Sequence, residues 1–372
     1  MNQPLLRITC ALYLSIACVS PHIALADNLT KTVDTAATQA TASAQLLFEQ
    51  ASVLIKQNEV AAGIKLLQKA ADQHHPKALL ELASYYELGL GVTKDYSMAV
   101  EYYEKAIKAG STDAYFNLAL LMIKPEAAIN NLKDARALMM ILAKQGDVGA
   151  QYSLSLMFKD ELNNTGVDYK QSISWLRLAA SAGHADAEFN LGLHYLKGEQ
   201  VAKSHSKAFR WFNKAANKGL PRAQFNLALM YEQGTGTSID LNRSLKWYKS
   251  ASLLGNANAQ QNLGIKYLLG NEIEQNDSKA ISLLTHAAKQ RHKDAQFLLA
   301  RLYHKGRKTI KADKLEAEKW YLLSAGQGHR EAQYQLALIL SKEVNRQDAA
   351  KYWAYQAAFA GHKSAYLLQA KL

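Results

Sequence analysis

The chain has 372 residues, 49% of them hydrophobic and only 5 of them proline, which agrees with a folded α-protein. The formal net charge is +12 and it is uneven: residues 27–165 carry 13 Lys and Arg against 16 Asp and Glu, a net −3, and residues 166–372 carry 30 against 16, a net +14. That asymmetry points to a partner with negative charge or to a solvated basic face. The only cysteines, Cys10 and Cys18, stand near the N-terminus and exclude a disulfide framework for the rest of the chain.

Residues 1–26 have the pattern of a secretory signal. Arg7 closes a short positive start, Ile8 to Val19 is apolar but only 12 residues long, and Ala24-Leu25-Ala26 offers small residues before Asp27. An apolar run of that length is too short to span a bilayer as a helix. Cleavage is expected after Ala26, placing the mature chain in a bacterial periplasm or outside the cell. A lipoprotein start at Cys18 fits less well, because Ser15 stands where a larger aliphatic residue belongs. Such export, with no known nucleic-acid motif, excludes nucleic acid as the expected partner. No later stretch reads as a transmembrane segment.

Residues 27–43, rich in Thr and Ala with no apolar period, read as a flexible leader. Residues 44–72 read as a helical hairpin that caps the N-terminal end of a helical stack. Leu46, Leu47, Val53, Leu54, Ile64, Leu66 and Leu67 supply its apolar faces, and Asn58-Glu59 supplies its turn.

From residue 73 onward a unit recurs. Its anchors are His74, Gly110, Gly146, Gly183, Gly219, Gly255, Arg291, Gly328 and Gly361, at steps of 36, 36, 37, 36, 36, 36, 37 and 33. A fixed period in this range marks a solenoid of stacked supersecondary units. Four residues after each anchor stands alanine: Ala78, Ala114, Ala150, Ala187, Ala223, Ala259, Ala295, Ala332 and Ala365. Eight after it stands leucine in all but the last, followed by a small residue, and offset 12 is usually aromatic, as at Tyr86, Phe158, Tyr195, Tyr231, Tyr267 and Tyr303. Offsets 4, 8 and 12 form one face of an α-helix, and the small residue lets a neighbouring helix come close.

A second helix follows in each unit, anchored by Tyr102, Leu138, Trp175, Trp211, Trp247, Leu283, Trp320 and Trp353. Before it stands a column of helix-capping types: Asp95, Asn131, Asp168, Ser204, Asp240, Asn276 and Asp313. Glycine marks the turn between the two helices at Gly89, Gly198, Gly234, Gly270 and Gly306. Three units depart from the pattern: Lys124-Pro125 replaces glycine in one, a longer Asn163–Gly166 loop interrupts the next, and the last full unit is shorter with Arg346 in the cap column. Residues 361–372 retain only a first helix and read as a C-terminal cap.

The run Ala223-Gln224-Phe225-Asn226-Leu227-Ala228, then Tyr231, Gly234, Gly236, Asp240 and Trp247-Tyr248-Lys249, resembles the Sel1-like repeat, a relative of the tetratricopeptide repeat. The resemblance covers residues 73–372, with about eight repeats over 73–360. It implies an all-α fold, a right-handed α-solenoid (a superhelix) of antiparallel helix pairs. It also implies a protein that binds other proteins.

Candidate chemistry is sparse, and neither an enzyme nor a cofactor or metal is expected. His75, His184, His292, His329 and His362 follow their anchors one per repeat, a spacing suited to turn residues that bond locally rather than to a metal site. The asparagines Asn117, Asn190, Asn226 and Asn262 recur at offset 7 and are expected to satisfy backbone groups of the adjacent turn, with a ligand ladder as the alternative. Some cysteine-rich relatives in the superfamily were named as β-lactamases, and Ser204-His205-Ser206-Lys207 matches S-x-x-K. No S-D-N follows, Lys308-Thr309-Ile310 lacks the last glycine of K-T-G, and the register makes Ser204 a helix cap.

The expectation is therefore an exported, non-enzymatic scaffold that binds a partner protein, from the envelope or from a host, on the concave face of the solenoid. By analogy with tetratricopeptide domains that face is lined by first helices at offsets 3, 7, 10 and 14. In the central units these are Asp186, Asn190, Lys197, Arg222, Asn226, Gln233, Asn258, Asn262, Asp294, Arg301 and Lys305. Offset 10 is often aliphatic (Leu193, Leu229, Ile265), giving a groove of mixed polarity that suits a peptide or helix. Binding of cell-wall glycan or an anionic polysaccharide through the basic C-terminal half is the alternative.

Overall fold

A computed structural model describes residues 30–129, 131–159, 168–307 and 309–372. The expected signal segment, both cysteines and the Asn163–Gly166 loop lie outside the described residues. Among these, the chain forms nineteen α-helices, two short 3₁₀ turns and no strand, apart from one antiparallel bridge between Arg307 and Ile310. The described residues divide into two compact units, one ending at Ala114 and one beginning at Tyr115.

In the first unit, α1 (Thr30–Lys56) pairs with α2 (Val60–Asp72), and α3 (Pro76–Leu88) with α4 (Tyr96–Lys108). Helix α1 runs through most of the stretch expected as a flexible leader. Alanine is the best helix former, and a helix already packed at one end extends at one hydrogen bond per residue. Asn58, at φ +68°, makes the expected turn. Ala44, Ala51 and Leu67 are buried there, whereas Leu46 and Val53 are exposed. The hairpin thus packs on alanines and Leu67, with Leu47, Leu54, Ile64 and Leu66 half-buried, and turns two expected core positions outward.

The second unit holds most of α5 (Thr112–Met122), then α6 (Leu132–Lys144), α7 (Val148–Met157), α8 (Tyr169–Ser181), α9 (Ala185–Lys197), α10 (His205–Asn217), α11 (Pro221–Gln233) and α12 (Leu241–Leu253). It continues with α13 (Ala257–Leu269), α14 (Asp277–Lys289), α15 (Lys293–Lys305), α16 (Lys314–Gly326), α17 (Arg330–Leu340), α18 (Gln347–Phe359) and α19 (Lys363–Gln369). From α6 onward each helix packs chiefly on its neighbours in sequence. A repeat that touches only adjacent repeats is the structural meaning of a solenoid.

The periodic columns make this core. All nine offset-4 alanines are fully buried, and the offset-8 leucines are at most 4% exposed. The small residue after them is buried in each complete repeat, and at Gly192 a Cβ would stand 2.7 Å from the Phe212 ring. Only Ala370 is exposed, because α19 ends at Gln369.

The seven expected caps all accept hydrogen bonds from the first turn of their helices. Their own backbone N–H groups close the inter-helix turn onto the residue at offset 12; Ser204 to Tyr195 and Asp313 to Tyr303 both measure 2.8 Å. Arg346 offers no side-chain cap, in keeping with its type. Each anchor has a positive φ, between 58° and 94°, including the non-glycine anchors His74 and Arg291. The left-handed residue ends each second helix and lets the next N–H reach back to an open carbonyl.

Candidate protein-binding face

The first helix of each repeat begins at a joint with the repeat before it. His75, His184, His292 and His329 are N-caps whose Nδ1 accepts the backbone N–H three residues on, at 3.1–3.4 Å. A ring nitrogen that accepts carries no proton, so Nε2–H is free to donate backwards. His75 donates to Gln45 at 2.9 Å, and His292 to Asn258 at 2.8 Å. His329 faces Asp294 at 3.4 Å, and His362 donates to Glu331 at 2.9 Å.

Four of these rings, those of His75, His184, His329 and His362, also stack on an aromatic side chain of the previous repeat, His75 on Phe48 at 4.9 Å. His184 lies 4.4 Å from Tyr152, His329 4.4 Å from Phe297 and His362 4.2 Å from Tyr334, centroid to centroid. Burial holds His75, His292 and His329 below the ordinary histidine range, with Lys77 adding to the effect at His75. The five histidines are therefore joints, one per repeat. Where Leu220 replaces histidine, Arg222 takes over: its guanidinium lies 4.6 Å over the Phe189 ring and pairs with Asp186.

This accounts for most of the residues expected to line the face. Asp186, Arg222, Asn258 and Asp294, all at offset 3, serve the joints. Of the offset-7 asparagines, Asn190 donates to the Tyr152 hydroxyl at 3.0 Å and Asn262 to the Tyr248 hydroxyl at 3.3 Å. Asn226 donates to the Arg222 carbonyl one turn earlier in its own helix. Asn226 thus bonds the backbone of the adjacent turn as expected, whereas for Asn190 and Asn262 that expectation is corrected: they tie helices side to side. Lys197, Gln233, Arg301 and Lys305 remain exposed, with Lys197 3.5 Å from Glu199. Leu193, Leu229 and Ile265 lie half-buried between them.

Two further columns escaped the sequence reading. The first is glutamine at offset 5: Gln151, Gln224, Gln260, Gln296 and Gln333 are buried, and each Nε2 donates to the carbonyl eight residues earlier at 2.9–3.2 Å. Its recurrence is visible as a spacing. The second lies at offset 13. Glu87 accepts from the Tyr103 hydroxyl at 2.9 Å, and Glu232 from the Tyr248 hydroxyl at 2.7 Å. Glu232 and Glu272 also accept from Lys266, at 2.5 and 2.7 Å. Burial pushes both tyrosine hydroxyls well above their usual range.

In the repeat of α15 and α16 the offset-13 position is His304. There the first-helix face opens into a groove of about 370 Å³ lined by Phe297, Arg301, His304, Lys305, Tyr321, Glu331 and Gln335. Burial pushes the Tyr321 hydroxyl up to about 12, with Arg301 opposing. Burial, then Lys342, Lys305 and Lys314, hold His304 below the ordinary range. Burial raises the Glu331 carboxyl, but hydrogen bonds from Gln335 and His362 outweigh it and hold the group below the usual range.

Ser204 sits at the start of α10, with its Oγ accepting from Lys207 N–H at 3.4 Å and 3.3 Å from Ser206 Oγ. It is a cap, as its register implies. Lys308 lies outside the described residues, and Thr309 donates to Asp277 at 3.1 Å.

The repeat geometry has a family counterpart. The Sel1 repeat model matches residues 44–75, 76–111, 148–184, 185–220, 221–256, 257–292, 293–329 and 330–362. The chain belongs to the Sel1 repeat family. The N-terminal hairpin over 44–75 is thus itself a Sel1 repeat, whereas the divergent stretch 112–147, with Lys124-Pro125 in its turn, lies between matched repeats. Among solved structures, c5321, a protective antigen present in uropathogenic Escherichia coli strains, is similar at TM-score 0.71 and 27% identity, covering 91% of this chain and 73% of that one. A Sel1 repeat protein from Oxalobacter formigenes is similar at TM-score 0.67 and 26% identity, covering 84% and 91%. The curated DAP3-binding cell death enhancer 1 of Mus musculus is 26% identical over 146 residues, 39% of this chain and 28% of that protein. The match thus spans under a third of that relative's length.

Proposed function

We propose that this Sel1 repeat chain is an exported, non-enzymatic scaffold that holds a partner protein, of the cell envelope or of a host, on its first-helix face. The observation that carries this is a division of labour along the first helices. Offsets 3, 4, 5, 7 and 8 maintain the fold, while offsets 10 and 14 change from repeat to repeat: Leu193 and Lys197, Leu229 and Gln233, Ile265 and Leu269, Arg301 and Lys305. A half-buried aliphatic strip with a polar rim suits a peptide or helix laid along it. Export is supported by the signal pattern of residues 1–26, and host contact by the likeness to a protective antigen.

The test is affinity capture from envelope and host lysates with the full chain purified from an exporting host. A Gln233→Glu, Arg301→Glu, Lys305→Glu variant is the control, with Arg222 left intact because it serves a joint. A retained protein that survives moderate salt and is lost from the variant supports the reading. Equal retention by the variant refutes the face. Loss of all binding in salt points instead to an anionic polymer, since exposed charge contacts are screened.

A further inference from the structure

The structure assigns a carboxylate-binding site to the groove between α15, α16 and α17, and we propose that an acidic segment of a partner protein fills it. The proposal rests on the scaffold reading above and names the chemistry that one part of the face takes.

Three repeats bury a tyrosine at the same place on the second helix: Tyr103, Tyr248 and Tyr321. In two of them the chain supplies a carboxylate for the hydroxyl, from Glu87 and Glu232 at offset 13. In the third, that position is His304. Tyr321 is 2% exposed, lines the groove, and its hydroxyl has no hydrogen-bond partner among the described residues. The hydroxyl opens onto the groove with its O–H not committed to an acceptor of the chain, so it can donate to one from outside.

The surroundings define what kind. Arg301 and Lys305, one turn apart on α15, are exposed and form no ion pair among the described residues; the Arg301 guanidinium lies 5.6 Å from the Phe297 centroid. The groove also holds one carboxylate, Glu331, whose oxygens accept from Gln335 and His362, both at 2.9 Å; its single negative charge stands against the two positive charges of Arg301 and Lys305 and leaves the groove net positive. The groove therefore offers a hydroxyl proton, a guanidinium and an ammonium over aromatic rings. A planar guanidinium suits a carboxylate in particular. The charge is also local. At offsets 10 and 14 of the two preceding repeats stand Leu229, Gln233, Ile265 and Leu269, so a uniformly charged polymer would meet no matching charge there. One or two carboxylates flanked by apolar side chains describe a peptide.

The test uses the full chain and a fluorescently labelled ten-residue peptide with a central Glu-Glu flanked by leucines, alongside its Gln-Gln twin. Binding is read by fluorescence anisotropy at 0.15 M salt. The expected result is saturable binding of the Glu peptide and at least tenfold weaker binding of the twin. Arg301→Gln and His304→Glu should each weaken the Glu peptide at least tenfold, the second because it installs the carboxylate that the other two repeats carry. Tyr321→Phe should weaken it severalfold, and Lys249→Gln, away from the groove, should leave it unchanged. His304→Glu should also melt no lower than the parent, since it gives Tyr321 an internal partner. Absence of saturable binding, indifference to His304→Glu and Tyr321→Phe, or binding of polygalacturonate but not of the peptide would each overturn the proposal. Capture of a lysate protein that His304→Glu leaves intact but the offset-10 and offset-14 reversal abolishes would retain the scaffold and reject this site.

Discussion

Removing Lys218 should expose how a single charge holds the two helices of one repeat together. Glu188 stands at offset 5, where the neighbouring repeats carry Gln151, Gln224, Gln260, Gln296 and Gln333. Glutamine brings its own donor for the carbonyl eight residues earlier; glutamate does not. Here Lys218, just before the next anchor, donates to Glu188 Oε1 and to the Gly183 carbonyl, both at 2.6 Å. Glu188 is 2% exposed and its Oε2 has no partner, whereas the Lys218 side chain is 39% exposed. Stripping a buried carboxylate of its partner costs ~3–5 kcal/mol. Partial screening of the lysine brings the expected loss for Lys218→Met to about 2–3 kcal/mol. The double variant Glu188→Gln, Lys218→Met should recover most of it, because the amide can bond as its counterparts do, a bond worth ~1 kcal/mol net. Urea unfolding followed by circular dichroism gives the totals. Amide exchange in α9 and α10 gives the local loss, needed because stacked repeats open segment by segment. A single-variant loss under about 0.5 kcal/mol, far below the buried-pair scale, or a double variant no better than the single, would refute the reasoning.

Acid should loosen the joints. His75, His292 and His329 are held neutral in the folded chain and bind protons more readily once unfolded. Their contribution is whole above the ordinary histidine value of 6.5 and falls as pH drops below it through the lowered folded values. Replacing His292 and His329 by asparagine, the residue that caps α13 as Asn256, should flatten melting temperature against pH between about 7 and 5, the range that histidine titration spans. Gly192→Ala should destabilise by about 1–2 kcal/mol, because displacing the Phe212 ring outweighs the gain of ~1 kcal/mol in helix propensity. Arg291→Gly should raise stability by about 0.5 kcal/mol. Relief of a left-handed residue, ~1–2 kcal/mol, exceeds the added freedom of glycine in the unfolded chain, ~0.5–1 kcal/mol. Urea melts decide both signs.

The core was legible because its columns repeat: Ala223, Leu227 and Asp240 each have a counterpart one period away, and periodicity averages out local drift. The face was less legible for the converse reason. Asp186 and Arg222 look like free surface charges within their own repeats, and only the stacking of one repeat on the next brings them together. Asn190 is opaque in the same way, since its partner Tyr152 lies 38 residues back. Tyr248 and Tyr321 occupy one column and look alike in sequence. The difference that matters is at Glu232 and His304, sixteen and seventeen residues before them. In α1 the Thr and Ala composition hid a helix, because a lack of apolar period speaks to packing rather than to backbone.

The histidine joint has a consequence for how such a chain lengthens. A unit with an aromatic ring at offset 6 and a histidine at its start carries a socket at one end and a plug at the other. A copy spliced in between two neighbours arrives with both halves of each new junction already made. Arg222 on Phe189 shows that a junction can be rebuilt with different chemistry while its two neighbours stay as they were.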